Sequence, residues 1–269
     1  MFAARWRARA RLIAALVVVA AGLPLGPLRG LPPAAAAEPP PAPAVEAVRI
    51  EGRDGFPLHA LRYRPAGRAS GGVLLVHDWS SDGGECWGEL PRLLAQAGCE
   101  VLVPDLRGHG LSRVPELLGP ADARPSRGEL QQMRADGARW WALLGPQATD
   151  VVLVCAGWSG LGAPAWVPEG RRLRGIVWID PRGEASSWDA ELQAATPDPP
   201  PLLFVATREN ASGLRIAESL FSRFNSLAEL RLYSRGRRGC GLARERPAQA
   251  GVGEWVTARW PGPGAWASD

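Results

Sequence analysis

The sequence has no lysine and no histidine beyond position 109. All 31 basic residues are arginine, a uniformity from which no function is drawn. Histidine is confined to His59, His77 and His109, and none of the four cysteines lies in a Cys-x-x-Cys pair, so no zinc site is expected and no cofactor is implied. Excess positive charge is also missing once its location is considered. The formal +4 arises from Arg5, Arg7, Arg9, Arg11 and Arg29; beyond residue 37 there are 26 arginines against 27 acids. That balance leaves no basic footprint for a nucleic-acid partner. A membrane-length apolar run is absent too. Leu12–Leu23 is interrupted by Pro24, and a spanning helix needs about 20 apolar residues.

Arginines, then that apolar run, then small residues ending at Ala37 form the pattern of a secretory signal peptide. Residues 1–37 are therefore expected to be a leader, which places the protein in the periplasm or outside the cell without a stable membrane anchor. Residues 38–45 read as a Pro/Ala-rich tail, 46–260 as one domain and 261–269 as a flexible C-terminal tail. With 46% hydrophobic residues, the central stretch is long enough to bury a real core. An oxidising compartment permits disulfides, but Cys86 and Cys99 flank a predicted helix that would hold them apart.

Short apolar runs alternate with helical patterns, as in a largely parallel sheet with crossover helices. After a two-strand meander, strands are expected at 71–77, 99–105, 150–157, 174–180, 201–207 and 228–234. One helix should present Trp87, Leu90 and Leu94 on a single face. A capping box at Ser126 and Glu129 opens another, with Leu130, Met133, Gly137, Trp141 and Leu144 inward. Further helices are expected around Ala217–Phe224 and at 247–260. Most of the twelve tryptophans fall at core-facing positions.

The strand GGVLLVH leading into HDWSSDGGECW, and CEVLVPD leading into LRGHGLS, resemble the α/β-hydrolase superfamily, in particular its esterase, serine aminopeptidase and dienelactone-hydrolase branches. The resemblance spans about residues 46–260 and is most specific in PDLRGHGLS (104–112). It implies a mostly parallel eight-stranded sheet flanked by helices, with little or no cap. It also implies an oxyanion hole near Trp79 and Trp158, and structural roles for His77 and His109.

The family's Ser-Asp-His triad does not map onto this chain. In VVLVCAGWSGLGAP the nucleophile position of the G-x-S-x-G elbow falls on Gly157, a residue that keeps an unusual backbone turn while deleting the hydroxyl. A two-residue slip would make Ser159 the nucleophile instead, and Pro164 and Pro168 damage the crossover helix that should follow. The acid position holds Asn210, with Glu209 and Asp180 as fallback carboxylates. The base position holds Arg238, whose guanidinium stays protonated and cannot serve as a general base.

The resemblance also brings Cys155 and Cys240 near the site, either as a disulfide or as two unpaired buried thiols. Arg235, Arg237 and Arg238 either bind an anionic ligand at its mouth or are solvated loop charges. The reading that follows is an exported pseudoenzyme with a remnant pocket for a small-molecule ligand or a protein partner. Its rivals are an active ester or acyl hydrolase using Ser159, and a Trp-rich protein-interaction module.

Overall fold

The computed structural model describes residues 41–113, 125–146, 148–161, 163–167, 170–195 and 199–260. The expected leader, the C-terminal tail and Pro168 lie outside them. Eight strands form one sheet: β1 (Ala44–Glu51), β2 (Pro57–Arg64), β3 (Gly71–Val76), β4 (Cys99–Pro104), β5 (Asp150–Ala156), β6 (Arg172–Ile179), β7 (Leu202–Thr207) and β8 (Ala228–Tyr233). Their spatial order is β1-β2-β4-β3-β5-β6-β7-β8. The β1–β2 and β2–β4 pairs are antiparallel and every other pair is parallel. This is the expected α/β-hydrolase fold. β1 begins at Ala44, inside the stretch assigned to the tail, because Ala44 and Val45 pair with Arg64 and Tyr63.

Both faces of the parallel strands are covered, so those strands read as unbroken apolar runs. Leu74, Val76, Leu153, Cys155, Trp178 and Phe204 point to one layer; Val73, Leu75, Val152, Val154, Val177 and Leu203 point to the other. The first layer is closed by α3 (Arg127–Leu143), α4 (Ala185–Ala195) and α5 (Ala211–Arg223). The second is closed by α1 (Gly83–Cys86), α2 (Leu90–Gln96), α6 (Cys240–Ala243) and α7 (Arg246–Thr257).

The capping box is formed: Glu129 N–H donates to Ser126 Oγ at 3.2 Å, and Ser126 N–H to Glu129 Oε2 at 2.6 Å. The single helix expected around Trp87 is two short ones, because Gly88 adopts φ 52° between them; Trp87, Leu90 and Leu94 are all buried nonetheless. The helix α4 has no counterpart in the sequence reading. Among its described side chains Trp188 and Leu192 are buried, a single i, i+4 pair set among small and polar residues. Between β5 and β6 the described residues form 3₁₀ turns, Gly157–Gly160 and Ala163–Trp166, in place of the crossover helix.

Tryptophans fill the core, seven of them almost wholly inaccessible, and none among the described residues is exposed. Glycines make room for several. A Cβ at Gly137 would lie 2.2 Å from the Trp166 ring, and one at Gly160 the same distance from Trp188. Gly137→Ala therefore sets two effects against each other. Helix propensity favours alanine by about 1 kcal/mol, whereas overpacking costs about 1–3 kcal/mol. The contact is with a fully buried ring, so the substitution is expected to lower stability by about 1–2 kcal/mol in urea denaturation; a more stable variant would contradict this packing.

Candidate active site

β3, β5, β6, β7 and β8 are consecutive in space and parallel, so the loops leaving their carboxyl ends share one edge of the sheet. Chain direction across the sheet switches between β3 and β5, the place where open α/β sheets form a crevice. Asp78 follows β3 and Gly157 follows β5, on the two sides of that point.

Gly157 has φ 60°, the left-handed turn expected of the elbow. The space above it is taken. A Cβ at Gly157 would lie 2.0 Å from Asp78 Oδ1, and a Cβ at Gly239 would lie 2.3 Å from Asp78 Oδ2. Asp78 is 1% exposed. Its Oδ1 accepts the Trp158 backbone N–H at 3.1 Å, and its Oδ2 accepts the Ser80 hydroxyl at 3.0 Å and lies 3.4 Å from the Arg182 guanidinium. The N–H following the nucleophile position is the donor that such an elbow offers to an oxyanion. Here that N–H, at Trp158, already holds an anion supplied by the chain itself.

Around this carboxylate the other expected positions do meet, but through different atoms. Asp180, at the end of β6, is fully buried and is the one described non-glycine residue with positive φ (51°). Its Oδ2 accepts the Gly239 N–H at 2.7 Å and its Oδ1 accepts from Asn210 Nδ2. Asn210 Oδ1 in turn accepts the Ser212 hydroxyl at 2.9 Å. Glu209, the other fallback acid, is exposed and accepts the Gly236 N–H at 3.1 Å.

Arg235, Arg237 and Arg238 are all exposed. The loop residue aimed at the site is Gly239, one position beyond the expected Arg238. Gly239 adopts φ 53° and is fixed between its bond to Asp180 and the anchored Cys240. Since neither residue is a histidine, the general base is missing at both positions.

Ser159 is buried, and its hydroxyl donates to the carbonyls of Ala156 (2.8 Å) and Val76 (3.2 Å). Those bonds brace the turn from beneath. His77 and His109 are scaffolding as well. His77 Nδ1 donates to Asp78 O at 2.8 Å while its Nε2 accepts the Leu106 N–H at 2.9 Å. His109 Nε2 lies 2.6 Å from Trp79 O and its ring packs edge-on against the Trp79 indole.

The PDLRGHGLS segment is organised around the same turn. Asp105 accepts the N–H groups of Gly83 and Leu111, Arg107 pairs with Asp54 and Asp136, and Ser112 Oγ accepts the His59 N–H. Its family-like residues hold the β3 turn in place.

The disulfide joins Cys86 to Cys240, across 154 positions, and Cys155 is a free buried thiol. Both expected alternatives are corrected: Cys155 and Cys240 are not bridged to each other, and of the two only Cys155 is unpaired. Cys155 points into the α3–α5 layer from mid-sheet, while Cys86 sits on α1 beside α6. Cys240 Sγ also accepts the Asp78 N–H at 3.3 Å, so the bridge clamps the β8 loop onto the turn that carries Asp78. In the chain-entropy picture such closure stabilises by on the order of 5 kcal/mol.

Burial moves two groups in opposite senses. His77, wholly enclosed and beside His109, is held down to about 3 from 6.5. Asp180 is raised above 3.8 by burial, against the lowering bonds from Gly239 and Asn210. The unfolded chain therefore binds the His77 proton more tightly, and this contribution to stability is lost as pH falls from 6.5 towards 3. Asp180 acts the other way: the folded state binds its proton more tightly, so its contribution is lost as pH rises through its raised value.

A model of the alpha/beta hydrolase family matches residues 73–268. No curated protein matches at the sequence level. Among solved structures, the dienelactone hydrolase of Anabaena variabilis superposes with TM-score 0.59 at 19% identity, covering 81% of this chain and 96% of that one. An esterase of Pyrococcus furiosus gives 0.58 at 17% identity, with 81% and 94% covered. The acylaminoacyl peptidase of Pyrococcus horikoshii gives 0.58 at 12%, with 81% and 41% covered. At these identities the likeness is one of fold.

Two outcomes follow from this geometry. Gly157→Ser alone is expected to destabilise by about 2 kcal/mol or more, since the new side chain collides with a buried carboxylate at positive φ. In the background of Asp78→Ala most of that cost should vanish; additivity in the double-mutant cycle would refute the collision. Separately, His77→Gln should flatten the fall in unfolding free energy between pH 6.5 and pH 3, to which His77 contributes on the order of 4 kcal/mol at 1.36 kcal/mol per unit. An unchanged slope in urea titrations at several pH values would count against the buried neutral imidazole.

Proposed function

The chain belongs to the alpha/beta hydrolase family, and from that premise we propose that it is an exported pseudoenzyme: a hydrolase fold kept for binding or partner contact, without ordinary serine-hydrolase chemistry. One observation carries this reading. The Asp78 carboxylate fills the space above Gly157 and takes the Trp158 N–H, where a serine hydrolase needs a hydroxyl and a vacant oxyanion seat. The missing base supports it, since the sequence has no histidine after His109 and an arginine cannot accept the serine proton. Export is supported by the arginine-led apolar stretch before Ala37 and by the Cys86–Cys240 disulfide, a bond favoured in oxidising compartments.

The competing reading is an active hydrolase of small esters or acyl substrates working through Ser159. Its hydroxyl is fully buried and donates to two backbone carbonyls, which counts against attack on a substrate. A Trp-rich docking face is the weaker rival, since no described tryptophan is exposed.

Purified protein is expected to remain unlabelled by a fluorophosphonate probe and to leave short p-nitrophenyl esters uncleaved. Labelling that disappears in Ser159→Ala would establish the hydrolase reading instead.

A further inference from the structure

We propose that residues 235–246 form a docking surface for an acidic segment of a partner protein. The stretch carries Arg235, Arg237, Arg238, Arg244 and Arg246, all exposed, with Glu245 as its one acid. Residues 38–269 as a whole hold 26 arginines against 27 acids, so this concentration is local. Several arginines elsewhere pair with carboxylates, Arg62, Arg107, Arg172 and Arg231 among them. The five in this segment stand in no ion pair among the described residues.

The acids of the adjoining loops form no ion pair with these arginines among the described residues; they accept backbone N–H groups or are buried. Asp180 accepts the Gly239 N–H, Glu209 accepts the Gly236 N–H, and Asp78 is buried over Gly157. Arg208, on the same β7 loop as Glu209, adds a further exposed guanidinium. Of these loop carboxylates Asp78 and Asp180 are buried, while the guanidinium groups of the segment and of Arg208 face solvent. The surface is also fixed in place. Gly236 and Gly239 are tied by those bonds, and Cys240 is bridged to Cys86, so little loop entropy is lost when a partner binds.

The chemistry selects carboxylates. The segment has no aromatic residue on which a nucleic-acid base could stack. None of the exposed large hydrophobic residues of the described chain, Val45, Leu111 and Leu227, lies on it to anchor in a bilayer. Guanidinium groups pair with carboxylates in a two-point fork, as Arg107 does with Asp54 and with Asp136 in this molecule. The proposal rests on these arginines and not on the missing triad, so the two readings fail separately.

The test is fluorescence anisotropy of a labelled decapeptide of alternating Asp and Glu, titrated with the oxidised protein at low and physiological salt. Binding is expected, weakening with salt. Arg237→Gln/Arg238→Gln/Arg244→Gln should bind about tenfold more weakly, with its thermal melt unchanged, while Arg68→Gln, remote and exposed, should match the wild type. The three single variants provide the same comparison should the triple one fold poorly. Absence of binding, equal affinity of the arginine variants, or an equal loss in Arg68→Gln would overturn the proposal. So would tighter binding of a charge-matched single-stranded DNA or of phosphatidylglycerol vesicles, which would assign the surface to another class of polyanion.

Discussion

A buried carboxylate needs donors, and the donors available to Asp78 govern the carboxyl edge of this sheet. Trp158 N–H, the Ser80 hydroxyl and Arg182 reach it from the β5, β3 and β6 loops, and the β8 loop presses Gly239 against it. A charge 1% exposed would be costly without those partners. With them, it becomes the point on which four loops agree. The same contact demands a residue without a side chain at both Gly157 and Gly239. A serine at the elbow, a side chain at the base position and an aspartate at the β3 turn compete for one volume. They are one structural choice, and this chain has made it in favour of the carboxylate.

That choice explains why the fold was legible from sequence and the centre of the site only partly. Strands buried on both faces announce themselves as apolar runs and the Ser126/Glu129 cap rests on local chemistry, whereas the turn at Gly157 and the scaffolding roles of His77 and His109 were legible through the family resemblance. Asp78 gave no comparable signal. Its reach into the elbow depends on two strands being neighbours, which no local pattern states. The one-residue difference between Arg238 and Gly239 has the same origin. Loop register after β8 is set by the bridge at Cys240, and the partner of that cysteine lies 154 positions away.

Charge is arranged by the same logic of inside and outside. Asp180 and Glu209 on the site loops accept backbone N–H groups, while Asp78 is held by a backbone N–H, a hydroxyl and Arg182. Arg182 is drawn in by Asp78, whereas Arg208, Arg235, Arg237 and Arg238 face solvent. A chain with nearly balanced charge acquires a directional surface in this way, because its two signs are buried unequally.

The order of the cysteines sets a problem for oxidation as the chain emerges. Cys86 appears first, and its partner is the last of the four. Cys99 and Cys155 pass between them, each destined for a buried position in a strand, at the start of β4 and near the end of β5. Pairing neighbours as they arrive would join the wrong thiols and leave β4 or β5 unable to enter the sheet. In the assembled sheet two of the four sulfurs, Cys99 and Cys155, are out of reach, which leaves Cys86 and Cys240 as the pair to bridge. The covalent bond records the completed topology; it does not direct it.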